Sequence, residues 1–432
     1  MLETTEDGAA AAIQLAEGAP LRNTLDTADP SDWLALDAGA RHTAWRHPHF
    51  VPEWEHCASL PADMSQLGES QLALALCHRD GRIRQEALHQ AARYPHLFPL
   101  VVIRCADWVG PVREHARQLL RKALNVDLAL DLAPLILRVG RRDRGAFGVD
   151  VLAQVLRQGS PEHLDAVLAH PDRTLRRFAY RLAVECRLLR PAELARTAAQ
   201  DDDTVIQDLC ATAALAALRD SDAYEEVLLP LLSARHARTR SAGVTGLRHA
   251  GRPEQAEPFL SDRSALVRAC ARYVVRQYGG DPAAWYRERC AAPSDLAMPP
   301  GAVIGLAECG SRADAALLRP LLTHPAPAVR ARAVAGLRAL DSVHTTQLQP
   351  LLDDPHAGVV RETTIALLPA AKELPADWLL ERTTSKQPRH VRVGAFRLLA
   401  AHGSIVALHA AIGLLEDSDE KLRTWARQAL HH

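Results

Sequence analysis

Side chains able to bind a metal crowd one short stretch near the start of the chain: His42, His47, His49 and His56-Cys57, among Glu53 and Glu55. Neutral imidazole and thiolate are good transition-metal ligands, so metal chemistry would be sought there first. Three prolines (Pro48, Pro52, Pro61) punctuate the stretch, and its spacing is not that of a zinc module. No metal ligand is therefore assigned. A second chemistry is phosphate contact. Arg138, Arg141, Arg142 and Arg144 form one dense group, and Arg173, Arg177, Arg181, Arg187 and Arg190 form another. Positive clustering of this kind is the footprint of nucleic-acid binding, although solvated helix faces look the same. There is no Gly-x-Ser-x-Gly and no phosphate-cradling glycine loop, so no catalytic or cofactor-binding residue is assigned and no cofactor is expected.

The elements that would position these groups follow from internal repetition. An aliphatic-Arg pair recurs at Val267-Arg268, Val329-Arg330, Val360-Arg361, Val391-Arg392 and Leu422-Arg423, at separations of 62, 31, 31 and 31 residues. Upstream copies stand at Ile83-Arg84, Val112-Arg113 and Leu175-Arg176, with weaker ones at Val205-Ile206 and Thr239-Arg240. Each copy opens a helix with apolar residues at i, i+4 and i+8, as in Val329, Ala333 and Leu337. A second apolar segment precedes it, marked by Pro-Leu-Leu or a variant at Pro230, Pro258, Pro320 and Pro350. Between the two lie cap residues such as Ser261-Asp262 and Asp353-Asp354-Pro355. The unit is helix, short turn, helix.

This pattern resembles HEAT repeats, in particular the short PBS-lyase HEAT-like kind, in which the turn carries an Asp and the second helix opens with Val-Arg. The match is cleanest from about 220 onward and poor at 143–158, where Asp143-Arg144 stands in place of Val-Arg. The resemblance implies an all-α, right-handed α-solenoid of about twelve two-helix repeats, in which Arg84, Arg113, Arg176, Arg268, Arg330, Arg361, Arg392 and Arg423 form a structural ladder. It also brings candidate activities. HEAT-like alkylpurine DNA glycosylases use tryptophans and a carboxylate on a basic face, and Asp107-Trp108 with Arg113 matches them at that one dipeptide. HEAT-like deoxyhypusine hydroxylases bind iron through His-Glu dipeptides, and this chain has none. No aromatic tetrapyrrole pocket of the phycobilin-lyase kind is recognisable.

Composition bounds the rest. Aromatics are 4% of 432 residues against 48% hydrophobic, so the core must be Ala, Leu and Val in close-packed helices. The net charge of −1 gives no global pull toward nucleic acid or membrane, but residues 1–78 are acidic and 79–198 basic. Eight scattered cysteines without a Cys-x-x-Cys point to a reducing, cytoplasmic setting, and no apolar stretch reaches membrane-spanning length. The Arg-over-Lys bias suggests a bacterial source. The expected organisation is an N-terminal segment, 1–60, partly disordered with a divergent helical cap, and a repeat solenoid, 61–432. Residues 1–20 look too rich in Ala and acid to order unaided, and Pro299-Pro300-Gly301 should loosen a junction. The expected function is a non-catalytic scaffold whose concave face holds a protein partner. The alternative is nucleic-acid binding, with or without glycosylase-type activity, through the basic stretch 138–190.

Overall fold

The computed structural model describes residues 3–41, 51–57, 63–218, 224–403 and 405–430, and every regular element among them is helical. The chain divides into two compact units, Met1–Arg190 and Pro191–His432. Among the described residues, twelve successive helix pairs follow the N-terminal elements, from Glu69–Cys77 with Gly81–Gln90 to Ile405–Gly413 with Glu420–Leu430. The fold is an all-α solenoid, because within each unit a pair buries its apolar stripe against its neighbours along the chain.

In the first unit, the Ala- and acid-rich start of the chain is helical and packs on its neighbours. Helix Glu3–Ala16 lies against helix Pro30–Gly39. They cross so closely that a Cβ on Gly8 would fall 1.9 Å from the Ala35 carbonyl oxygen. Trp33 and Trp54 are structural. Both are buried, and their indole N–H groups donate to the carbonyls of Thr27 at 3.0 Å and Ala40 at 2.9 Å. Four pairs follow, the last being Pro161–Leu168 with Arg173–Glu185.

The second unit carries eight pairs, in which successive second helices pack on one another. Its first segments are less regular than periodicity suggests. Pro258 lies inside the 3-10 segment Pro253–Ser261, while Arg319–Thr323 and Gln349–Asp353 are 3-10 segments holding Pro320 and Pro350 near their starts. Proline lacks the N–H for an i−4 bond and crowds that carbonyl, so the backbone tightens into 3-10 geometry.

Two local expectations are corrected. Pro299 and Pro300 do not loosen a junction: they start helix Pro300–Cys309, whose Gly301 sits so close to the preceding repeat that a Cβ would meet the Ser261 carbonyl oxygen at 1.9 Å. The ladder position also lies elsewhere in two repeats. In helices with Arg84, Arg113, Arg176, Arg240, Arg268, Arg330 or Arg392, the arginine is the fourth residue after the N-cap. That place is held by Gln207 after N-cap Asp203 and by Val360 after N-cap His356, so Arg361 stands one residue beyond it.

Candidate functional site

The ladder geometry follows from helix direction. Side chains tilt toward the helix N-terminus, so an arginine on the first turn reaches back over that turn. Its guanidinium meets the carbonyl six residues earlier: Arg84 donates to His78 at 2.7 Å, Arg113 to Asp107 at 2.8 Å, Arg240 to Ala234 at 2.8 Å, Arg268 to Asp262 and Arg330 to His324 at 2.7 Å. Arg423 and Gln207 do the same to Asp417 and Asp201 at 2.5 Å. A cation at a helix N-terminus is unfavourable with that helix's dipole. Here it lies instead against carbonyls at the end of the preceding helix.

The rest of the guanidinium reaches forward to the next repeat. Arg84 makes a two-pronged bond to Asp107 at 2.8 and 2.9 Å, Arg240 to Asp262 at 2.9 Å through both nitrogens, and Arg330 to Asp354 at 2.7 and 2.9 Å. Arg392 pairs with Asp417. Each of these acids also accepts the backbone N–H two residues on, as where Asp354 accepts the His356 N–H at 2.8 Å; they turn the chain ahead of the helix, and the N-caps expected at Asp262 and Asp354 stand instead at Ser264 and His356. Burial pushes the carboxyls of Asp107, Asp262, Asp354 and Asp417 up, but arginine and backbone N–H bonds outweigh it and hold all four below the ordinary range. Where residues 291–299 lengthen the turn, Arg268 takes Glu308 instead, at 3.1 Å, and Arg272 joins at 2.6 Å. Arg176 donates to the Leu168 carbonyl at 3.3 Å. Arg361, out of place, is 70% exposed and bonds only to its neighbour Glu362 within the ion pairs described.

Asp107-Trp108 belongs to this system in the first unit. Asp107 accepts the Val109 N–H at 2.9 Å, holds Arg84, and takes Arg104 at 2.7 Å. Arg104 continues to Asp37, which holds Arg41 at 2.5 Å. All five side chains are buried. Trp108 is 49% exposed, and its ring lies over the guanidinium groups of Arg84 at 4.6 Å and Arg41 at 5.5 Å.

The basic stretch is placed as follows. Arg138 ends helix Val126–Val139, and Arg141, Arg142 and Arg144 lie on the loop after it; all four are exposed. Arg138 donates to the Ser31 hydroxyl at 2.6 Å. Arg173, Arg177 and Arg181 share one face of helix Arg173–Glu185, with Arg173 and Arg181 exposed and Arg177 half-buried. Both groups lie in the first unit.

Of the early ligand-type cluster, His42, His47 and His49 lie outside the described residues. Glu55 instead faces His78 at 3.3 Å and Arg79 at 3.4 Å. Among the described residues no group of three His, Cys, Asp or Glu could hold a metal ion, and no helix is long and apolar enough to cross a membrane. Burial pushes the thiols of Cys77, Cys105, Cys210 and Cys290 up to about 12, so none is a thiolate at neutral pH.

One pattern was missed in the linear reading. In the second unit the second helices carry sixteen Arg and Lys against four Asp and Glu, whereas the first-helix segments carry six against eleven. Charge counted over long blocks averages this away; charge counted by alternate helices would have shown it. On the same helices Leu266 and Tyr273 are 49% and 43% exposed, and open clefts of about 460 and 330 Å³ flank Trp425.

No family model matches the chain, and no curated protein matches it. Among solved structures, that of Kap121p bound to Pho4p aligns with a TM-score of 0.35 and 12% identity, covering 82% of this chain and 48% of that one. A Kap121p mutant aligns at 0.35 and 13%, covering 98% and 53%. A Tumor Overexpressed Gene (TOG) domain array, from a study of tubulin recruitment by microtubule polymerases, aligns at 0.25 and 12%, covering 82% and 98%. The chain thus spans about half the length of the Kap121p chains.

Proposed function

We propose that this chain is a non-catalytic interaction scaffold, a HEAT-like array of the short PBS-lyase type whose second-helix face holds a protein partner in the cytoplasm. The observation that carries this reading is helix Ala265–Gln277. Its stripe of Val267, Ala271 and Val274 is buried, yet Leu266 and Tyr273 stay exposed beside it. Tyr273 is held in place by Arg248, whose guanidinium bonds its hydroxyl at 2.6 Å and lies 5.5 Å from its ring. A fixed aromatic next to an arginine is the composition that dominates binding energy at protein interfaces. The ladder arginines are read as structural, since their donors are engaged in backbone and acid bonds within and between repeats.

The test is photo-cross-linking in the source cells, with a photoreactive phenylalanine analogue replacing Leu266 or, on a first helix, Leu229. Leu229 is 61% exposed and serves as the control. One discrete protein adduct from position 266 and none from 229 is expected. Equal adducts from both, or none from 266, would sink the reading.

A second reading, nucleic-acid binding with or without glycosylase-type activity, is favoured by one observation: Arg141, Arg142 and Arg144 project together from a single exposed loop. A gel shift across a salt series decides it, because phosphate contacts must weaken steeply as salt rises. A shift lost in the triple alanine variant of that loop supports it, and no shift at low salt removes it.

A further inference from the structure

We propose that the second-helix face of the Pro191–His432 unit binds an extended acidic segment of a protein partner, an assignment that rests on the scaffold reading above. The argument begins with where the excess cations are. Ladder arginines are taken up by turn carbonyls and acids, but Arg248, Arg276, Arg338 and Arg397 are exposed and pair with no carboxylate among the described residues. The first three occupy one place on three helices, twelve residues after N-caps His236, Ser264 and Ala326.

A bland explanation exists for cations in the last turn of a helix, where they complement the dipole. It predicts the same feature on the first helices. Pro191–Gln200, Tyr224–Ser233, Ala376–Glu381 and Ile405–Gly413 have no basic residue in their last turn. Helix Pro282–Cys290 carries two, Arg287, which is taken by Asp314 at 2.7 Å, and Arg289, which lies 5.1 Å from the Trp285 ring, and segment Leu368–Glu373 carries Lys372. Arg ends second helices Ala237–His249, Ala265–Gln277, Pro327–Ala339 and Glu420–Leu430, though not Thr204–Ala217, Pro300–Cys309 or Ala357–Leu367, and a dipole that acts on both helices of a pair does not account for its greater frequency on the second.

Spacing selects the ligand. Packed helices lie about 8–10 Å apart, and an extended polypeptide rises about 3.3 Å per residue, so carboxylates about three residues apart meet Arg248 and Arg276 on successive second helices, and one about six residues beyond meets Arg338, past helix Pro300–Cys309, which has no basic residue. Apolar residues between the acids would meet Leu266, Tyr273 and the 330 Å³ cleft lined by Phe396, Ala400, Trp425 and Ala429.

The experiment uses the full chain and a fluorescein-labelled peptide of about twelve residues, four repeats of Glu-Ser-Val, read by fluorescence anisotropy. Controls are the Gln-Ser-Val peptide and a single-stranded oligothymidylate of equal length. Saturable binding of the acidic peptide is expected, weakened about tenfold or more in the Gln peptide and in the combined Arg248→Ala, Arg276→Ala, Arg338→Ala variant, whose melting temperature should be unchanged. Failure of the acidic peptide to bind the unaltered chain overturns the proposal, as does tighter binding of the oligothymidylate through the same arginines. The Gln peptide requires no variant to fold. A partner cross-linked at position 266 together with no acidic-peptide binding would leave the scaffold reading standing and remove the acidic assignment alone.

Discussion

Asp107 and Asp354 occupy the same place in the repeat, but their surroundings differ. Asp354 serves one arginine, Arg330, which keeps 12% of its side-chain surface open to water. Asp107 serves two, Arg84 and Arg104, and through Arg104 it is tied to Asp37 and Arg41 of and beside helix Pro30–Gly39. Three arginines and two aspartates thus share one buried site, which Trp108 overlies on Arg84 and Arg41. The same sequence device is a two-group clamp in the second unit and a branched network in the first. Removing one carboxylate from a branched buried network leaves more charge without a partner, so its loss costs more.

The largest effect should come from breaking the branch. Asp107→Ala leaves Arg84 and Arg104 buried without their shared acid and should cost about 3–5 kcal/mol, read by urea unfolding of the first-unit transition. A loss under about 1 kcal/mol would mean the network is looser than its distances imply. Next is acid. The four ladder aspartates have folded pKa values below their unfolded ones, so the stability they contribute is complete above about pH 4 and declines as pH falls through the folded values. Unfolding free energy measured from pH 6 down to 2 should therefore be level at first and then drop; a decline beginning near pH 6 would point to histidines instead.

Thr363 sharpens the comparison from inside the core. Its place, seven residues after the N-cap, is Ala in helices with Ala87, Ala116, Ala271, Ala333 and Ala395, and its hydroxyl is buried with no hydrogen-bond partner. Thr363→Ala should stabilise by about 1 kcal/mol, checked by melting temperature, and destabilisation would show an unrecognised bond. The smallest effect belongs to Arg361. Out of the ladder position and exposed, Arg361→Ala should change stability by less than about 0.5 kcal/mol.

That last residue also shows what was legible in the sequence. Helix pairs, their number and the Asp-bearing turns inside them could be read from Val267-Arg268 and its copies, because side-chain period and turn chemistry are local; that the N-cap falls at Ser264 or His356, two residues after the Asp, could not. The place of the ladder in helix Ala357–Leu367 was not. Val359 and Val360 are both buried and Arg361 follows the second, so the pair reads as Val360-Arg361; only the N-cap at His356 shows that Val359 holds the aliphatic place and Val360 the ladder place. Helix Glu3–Ala16 packs against helix Pro30–Gly39, a tertiary contact that composition does not carry. Exposure in the last pair is also a tertiary property: Lys421, Arg427 and Gln428 are exposed on helix Glu420–Leu430, but so are Ile405 and Ile412 on its partner, at 73% and 56%. The forward bonds of Arg84, Arg240 and Arg330 were not legible in the local pattern because each acid lies more than twenty residues on, in the next repeat.

A double-mutant cycle on Arg330→Ala and Asp354→Ala tests that forward bond most directly, since it isolates the pair from the backbone contacts each residue also makes. A coupling energy of about 1–3 kcal/mol is predicted, in keeping with a two-pronged, mostly buried charge pair. Additive losses, with coupling below about 0.3 kcal/mol, would contradict the claim that these arginines fix one repeat onto the next.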